Sequence, residues 1–229
     1  MAHASTRVTR KRIREPDQFL TLLGQALEFF EKYKKACLLG LAAILVLALA
    51  STGWSLYRDR QDQLAAAKFD DALRLFHLGN FREAVTAFET VKSYSSPTFT
   101  TYALLYEADS HLAMNEPEKA VTALQEVVAR EKKSSIIRQL ALMTLGYAHE
   151  VRSEWKQAAE SYGAAKKIDG PYKEDSLLSK ARCEIEAKDY KAALESYKSY
   201  LSTNPNGARS TEATLKVQDL EGMLKEKVG

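Results

Sequence analysis

From residue 65 onward, small and apolar residues return at helical spacing in four similar blocks. Each block contains one alanine, at Ala84, Ala120, Ala158 and Ala193, and the intervals between them are 36, 38 and 35 residues. A turn-side residue, mostly aromatic, lies three residues before each alanine, and a large apolar or aromatic residue lies four residues after it. A period in the mid-thirties is typical of helical solenoids.

The pattern within each block predicts two antiparallel helices that approach closely. A small residue lets the backbones come together, and a large residue one turn away fills the space beside it. All five prolines fall at block edges or helix starts, where proline is tolerated. No stretch alternates with a period of two, so we expect no β-sheet. The predicted helical repeats lie near 65–98, 101–134, 139–172 and 174–207.

One more helix is predicted over 208–226, where it would cover the open end of the array. Four of its apolar residues are expected to face the last repeat: Leu215, Leu220, Met223 and Leu224. The predicted fold class of this region is therefore all-α, a solenoid of about four helix-turn-helix repeats with a C-terminal capping helix, within a region spanning 58–229.

An uncharged segment of 22 residues, from Ala36 to Tyr57, precedes the repeats and is rich in Leu, Ala, Ile and Val. About 20 apolar residues in a helix cross the hydrocarbon core of a bilayer, so we predict a transmembrane helix over 36–57. A buried core helix and a signal peptide cleaved after Ala50 are the alternatives. The length of the run and the 35 residues before it favour an uncleaved anchor.

The residues before this span are basic. Residues 1–35 contain eight Lys or Arg against four acids, whereas residues 36–229 carry a net charge of −1. Short basic segments stay on the cytoplasmic side, so the tail of residues 1–16 is expected in the cytoplasm and the C-terminal part beyond the membrane. The cluster Arg7–Arg14 suits anionic lipid or nucleic acid. Its position beside a span favours lipid, and the remainder of the chain is not basic, which argues against a nucleic-acid partner.

Apolar residues also recur at helical spacing between 17 and 35, with basic residues at both ends. This pattern predicts an amphipathic juxtamembrane helix on the cytoplasmic leaflet. A continuous helical extension of the anchor is the alternative. The apolar positions are Phe19, Leu22, Leu23, Ala26, Leu27, Phe30 and Tyr33.

Candidate catalytic chemistry is sparse. Cys37 lies at the cytoplasmic end of the predicted span and Cys183 lies in the fourth repeat, so the two do not form a disulfide framework. His111 and His149 occupy equivalent positions of neighbouring repeats, which reflects the repeat period rather than metal-ligand spacing. The sequence contains no phosphate loop, dinucleotide fingerprint or nucleophile elbow. We therefore expect no enzymatic activity, no cofactor and no metal.

The third block carries Leu145 and Gly146 in its first helix and Trp155, Ala158 and Tyr162 in its second. This pattern resembles the tetratricopeptide repeat. The resemblance implies a concave face lined by defined positions of each first helix, and therefore a groove that binds proteins. Transferred to this chain, the predicted groove is unusually apolar and contains Phe69, Leu73, Phe76, Tyr102, Leu105, Leu112, Met143 and Tyr147.

The sequence is consistent with three different occupants of this apolar strip. The chain's own flanking helices cover it, or a second copy of the chain does so in a homo-dimer, or it receives an apolar helix or extended segment of another protein. Tyrosine and methionine would supply adaptable contact area in the last case.

The complete layout resembles the bacterial single-pass tetratricopeptide-like family that includes the ancillary subunit of the Sec translocon. The resemblance implies an inner-membrane scaffold with a cytoplasmic N-terminus and a periplasmic solenoid. Its partners would be translocon subunits, periplasmic chaperones or emerging polypeptides. The alternative is a scaffold for another cell-envelope complex, in division, secretion or outer-membrane assembly, because a fold alone does not define a role.

Overall fold

The structure, a computed structural model, describes residues 15–226 of the chain. The described residues form nine α-helices and no β-strand, which confirms the all-α fold class. In chain order the helices are α1 (Glu15–His77), α2 (Phe81–Lys92), α3 (Pro97–Ala113), α4 (Pro117–Arg130), α5 (Ile136–Val151), α6 (Trp155–Lys166), α7 (Lys173–Glu186), α8 (Tyr190–Thr203) and α9 (Ser210–Glu226).

The chain divides into two units, with the boundary between Tyr57 and Arg58. In the first unit α1 is interrupted at Tyr33, where φ is −113° and ψ is 19°, outside the helical region. The segment after this break is apolar, and none of the side chains described between residues 31 and 57 is buried. One helix in the described part of the chain is long and apolar enough to cross a membrane, and it contains this segment.

The second unit is a solenoid of helical hairpins. The end of α1 packs with α2 and α3 around one apolar cluster, and from α2 onward each helix packs against the next along the chain. Further clusters join α3 to α6, α5 to α7 and α7 to α9. Each repeat therefore contacts mainly its neighbours, as expected of a helical solenoid.

The alanines that define the period occupy the closest-packed positions of the second helices. Ala84, Ala120, Ala158 and Ala193 are each 0 % exposed. The large residues four positions later are buried as well, and so are the small residues at the equivalent position of each first helix. These two sets are Phe88, Leu124, Tyr162 and Tyr197, and Ala72, Ala108, Gly146 and Ala181. The predicted packing register is confirmed.

Each hairpin turn contains one residue with positive φ, and these residues recur with the repeat period. Gly79 has a φ of 78°, and Asn115, Ser153 and Lys188 have φ values of 59°, 58° and 61°. The next amide donates to the carbonyl five residues earlier, for example from Asp189 to Glu184 at 2.8 Å. This is the Schellman motif. Glycine, which adopts positive φ without a Cβ clash, occupies the first of these four turns.

The last helix, α9, packs on α7 and α8 through Ala213, Val217 and Leu220. The prediction for Leu220 is confirmed, since its side chain is 2 % exposed. The prediction that Leu215 and Met223 face the last repeat is wrong, because they are 57 % and 50 % exposed. Positions 213, 217 and 220 follow helical spacing and form the buried face, whereas Leu215 and Met223 lie away from it.

Candidate functional site

The eight residues predicted to line the groove fall into two groups. Three of them line a surface depression between α3 and α5: Leu112, Met143 and Tyr147. The other five lie in the first two repeats: Phe69, Leu73, Phe76, Tyr102 and Leu105.

An aromatic cluster occupies the first-repeat part of the predicted strip. The ring of Phe69 lies with its centroid 5.6 Å from Tyr106 and 5.7 Å from Phe88. The ring of Phe76 packs edge-on against that of Tyr106, with 5.3 Å between the centroids. The ring centroid of Tyr102 lies 6.2 Å from that of Phe69, and the Tyr102 side chain is 37 % exposed. Ring contacts of this kind stabilise packing beyond the area they bury. These aromatic side chains therefore hold α1, α2 and α3 together.

Leu73 is half-buried, and Leu105 lies in the core between α3 and α6 with 8 % of its surface exposed. A side chain this buried contacts a second protein only if the core opens. Leu105 is therefore a packing residue of the core.

The depression between α3 and α5, called here the α3–α5 depression, has a volume of ≈ 520 Å³ and opens to solvent. The two helices are the first helices of adjacent repeats, so their equivalent positions lie side by side. Asp109 of α3 corresponds in this way to Tyr147 of α5, whose side chain is 53 % exposed. The residues that line the depression are Asp109, Leu112, Ala113, Met143, Thr144, Tyr147 and Tyr162.

Tyr162, from α6, reaches the depression because residue 146 has no side chain. A Cβ at Gly146 would lie 2.6 Å from Cε1 of the Tyr162 ring, closer than real contacts allow. The glycine therefore lets a tyrosine lie across α5. The other first helices carry alanine at this position.

A hydrogen-bond network fixes the hydroxyl of Tyr162. The hydroxyl donates to Oε1 of Glu150 at 2.6 Å, and Arg182 of α7 donates to both oxygens of Glu150 at 2.8 and 3.0 Å. Burial raises the pKa of Tyr162 well above its ordinary value, and the bond to Glu150 adds to the shift. The arginine compensates the charge of Glu150, so this carboxylate is already paired.

Cys183 lies beside the same network and is fully buried. Burial raises the pKa of its thiol to about 12, and the Glu150 carboxylate acts in the same direction. The thiol is therefore protonated at neutral pH, and it behaves as a small apolar side chain rather than a nucleophile.

Asp109 differs from Glu150 because it has no partner. Within residues 15–226 its carboxylate makes no hydrogen bond and no ion pair. The residue is exposed to solvent, and partial desolvation by the surrounding side chains raises the pKa of its carboxyl above the ordinary value. The α3–α5 depression thus combines apolar walls, one exposed tyrosine ring and one uncompensated carboxylate.

The two histidines at equivalent repeat positions each bind a glutamate of their own turn. Nδ1 of His111 lies 2.9 Å from Oε2 of Glu116, and Nδ1 of His149 lies 2.7 Å from Oε2 of Glu154. Each pair links the last turn of one helix to the start of the next. Between residues 15 and 226 no group of three or more His, Cys, Asp or Glu side chains is arranged to hold a metal.

Three of the seven lining residues were not among the aligned groove positions: Ala113, Thr144 and Tyr162. Asp109 does occupy an aligned groove position, but it is polar and was therefore not counted as part of the apolar strip. Tyr162 was interpreted as packing between helices. The signal for its second role was Gly146, because a residue without a side chain lets the ring of Tyr162 lie against α5 and reach the depression.

Several solved structures share this fold. MamA matches with a TM-score of 0.57 and 19 % identity over 72 % of this chain and 86 % of its own. A protein of nearly identical TPR-like repeats from Podosopora anserina matches with a TM-score of 0.53 and 18 % identity over 70 % and 91 %. The apo form of RapI has a TM-score of 0.59 and 16 % identity over 71 % of this chain and 48 % of RapI. At these identities the likeness concerns the fold alone.

No curated protein sequence matches the chain. The sequence profile of the tetratricopeptide repeat-like domain matches residues 28–160, and that of the tetratricopeptide repeat matches residues 175–207. The first match covers more than half of the chain and includes the first three helical hairpins almost completely. Repeats of this kind serve as scaffolds for protein–protein interaction. The chain belongs to the tetratricopeptide repeat-like domain family.

Proposed function

We propose that this protein is a scaffold anchored in the bacterial inner membrane by one helix, with its N-terminus in the cytoplasm and its solenoid in the periplasm. The observation that carries the proposal is the uncharged run Ala36–Tyr57. It forms helix throughout, and none of its described side chains is buried. A helix that is apolar on all sides and covered by nothing is suited to lipid.

The break at Tyr33 supports a separate helix ahead of the span. It falls between the amphipathic stretch 17–35 and the uncharged run, near the boundary expected from the sequence. The leucines before it are exposed, for example Leu22 at 66 % and Leu27 at 60 %. An interfacial helix followed by a turn into the bilayer accounts for both features. The predicted positions Phe19 and Phe30 lie outside the side chains that the structure describes.

Orientation follows from charge, because basic segments are retained in the cytoplasm. In spheroplasts, added protease is expected to degrade the C-terminal part, while the intact outer membrane protects it. Mass spectrometry is expected to find the N-terminal residues on the mature protein. A mature protein that begins near Ser51, or a C-terminal part that resists protease in spheroplasts but not after lysis, would overturn the anchor or its orientation.

Within this scaffold we assign protein binding to the α3–α5 depression, in a role ancillary to protein translocation or periplasmic chaperoning. The depression is the part of the predicted strip that remains open, since the first-repeat aromatics are engaged with one another. An exposed tyrosine beside methionine and leucine is typical of adaptable binding surfaces.

Crosslinking in membranes tests this role. A photo-crosslinking residue in place of Tyr147 is expected to capture translocon subunits, periplasmic chaperones or emerging chains. The same residue in place of Lys156, which is exposed on α6 outside the depression, is the matched control. Capture of division, secretion or outer-membrane assembly proteins at position 147 would instead support a scaffold for another envelope complex. Capture of a second copy would identify the depression as a dimer contact.

A further inference from the structure

The α3–α5 depression contains one acidic side chain, Asp109, that no basic side chain of the lining neutralises. Glu150, on the same helix as Tyr147, is held by Arg182 and by the Tyr162 hydroxyl. Asp109 has no counterpart, because no lysine, arginine or histidine lines the depression. Asp109 is exposed where it lines the depression, so its carboxylate is available to a ligand that carries the opposite charge.

The walls around Asp109 narrow the chemistry of that ligand. Leu112, Ala113 and Met143 present apolar surface, and Tyr147 and Tyr162 present rings. A lysine or arginine side chain combines an aliphatic stem, which packs on apolar surface, with a charged head, which reaches a carboxylate. Tyrosine rings add attraction for the cation when it lies over their faces. A small inorganic cation would use the carboxylate but not these walls.

We propose that the α3–α5 depression receives a lysine or arginine side chain of a bound protein segment, with the aliphatic stem against Leu112 and Met143 and the charged head at Asp109. The proposal rests on the protein-binding role proposed above and specifies its ligand as a segment with one basic residue among apolar ones. Volume is consistent with this occupant, since ≈ 520 Å³ accommodates one long side chain and parts of its neighbours.

Selection of short random peptides displayed on phage, with the full-length protein in lipid nanodiscs as bait, tests this specificity. The unaltered protein is expected to enrich peptides that share one Lys or Arg flanked by apolar residues. Asp109→Asn is expected to remove the preference for the basic residue, and Asp109→Lys is expected to replace it with a preference for Asp or Glu. Asp219→Lys makes the same charge change on the exposed surface of α9 and is expected to leave the selection unchanged.

Synthetic peptides of the enriched sequence measure how much the basic residue contributes to the binding affinity. Replacement of the basic residue by norleucine keeps the aliphatic stem and removes the charge. It is expected to weaken binding to the unaltered protein by about tenfold, since hydrogen bonds to charged groups contribute on the order of one tenfold step or more. Binding to Asp109→Asn is expected to be the same for both peptides. Circular dichroism melts of each variant establish that the helices remain folded.

Two results overturn the inference in different ways. Peptides that require Tyr147, as shown by loss with Tyr147→Ala, but carry no basic residue would refute the lysine or arginine ligand and leave the binding role intact. Absence of any peptide that requires Tyr147 would refute both.

Discussion

Gly146 shows how a single residue shapes both the packing and the site. Its missing Cβ lets the Tyr162 ring lie on α5, and the same ring forms part of the α3–α5 depression. Tyr162 in turn donates to Glu150, which holds Arg182 of the next repeat. One close contact therefore links two repeats and positions one wall of the proposed binding site.

Gly146→Leu is expected to lower the free energy of unfolding by about 1–3 kcal/mol, because the added side chain overlaps the Tyr162 ring and forces the helices apart. Denaturant unfolding of the full-length protein in detergent, followed by circular dichroism, measures the change. Lys156→Ala is the control and should be nearly silent, since Lys156 is exposed and makes no ion pair among the described residues. Equal stability of the Gly146→Leu variant would contradict the close contact.

Removal of the charge of Asp109 is expected to raise the free energy of unfolding, the opposite of the effect expected for Gly146→Leu. Partial desolvation raises the pKa of the Asp109 carboxyl above the ordinary value of 3.8, so the folded state holds this proton more tightly than the unfolded chain does. The resulting stabilisation is present below the ordinary pKa and is lost as the pH rises through the folded pKa. At neutral pH the charged carboxylate therefore opposes folding.

Asp109→Asn is accordingly expected to raise the free energy of unfolding at neutral pH. The gain should stay below about 1 kcal/mol, because part of the residue is open to solvent. Unfolding curves at several pH values should show the gain shrinking as the pH falls toward 3.8. Asp219→Asn, on exposed helix surface, is the control. A loss of stability in Asp109→Asn would mean that the carboxylate has a stabilising partner in the folded protein.

At the scale of the helical hairpin, the turns carry the main local strain. Ser153 and Lys188 adopt positive φ, which is unfavourable for residues with a Cβ, whereas asparagine and glycine tolerate it. The Schellman hydrogen bonds form in all four turns regardless of the residue, as at Glu154 to His149, 2.9 Å. Packing of the two helices therefore imposes the turn conformation on residues that do not prefer it.

Lys188→Gly is expected to raise the free energy of unfolding by about 0.5–1 kcal/mol. Removal of the Cβ clash gains on the order of 1–2 kcal/mol, and the greater freedom of glycine in the unfolded chain offsets part of it. Lys188→Ala removes the same charged side chain but keeps the Cβ, so it separates the backbone effect from the loss of the lysine. Melting temperatures of the two variants should differ, with the glycine variant higher. Equal values would show that the turn is unstrained.

For the whole molecule, the helix order and the buried register were predictable because both follow from a period that recurs four times. The binding site was predictable in part: Leu112, Met143 and Tyr147 occupy the aligned positions and line one depression. Leu105 occupies an aligned position too, yet it turns into the core. Periodicity places a residue on a helix face, whereas the neighbouring repeat decides whether that face stays open. Among the described residues Asp109 has no charged partner, because the neighbouring repeat contributes no basic side chain to the lining of the depression.

The arrangement of the repeats also indicates how a destabilising substitution in the last helix affects the other helices. Because each repeat contacts mainly its neighbours, destabilisation of α9 should loosen the adjacent α7 and α8 before it reaches distant helices. Leu220→Asp places a charge at a site 2 % exposed, where an unpaired charge is strongly unfavourable. Hydrogen exchange of the full-length protein should then show faster exchange in α7 and α8 and unchanged protection in α3 and α4.

Leu215→Asp is the matched control on the same helix. Its side chain is 57 % exposed, so the same change should leave exchange in α7 and α8 as it is in the unaltered protein. Faster exchange with Leu215→Asp would reverse the assignment of the buried face of α9. A uniform loss of protection in Leu220→Asp, from α3 to α9, would show that the solenoid unfolds as one cooperative body. The local effect is expected because the apolar clusters of the first and last repeats have no residue in common, so the last repeat is able to open while the earlier contacts persist.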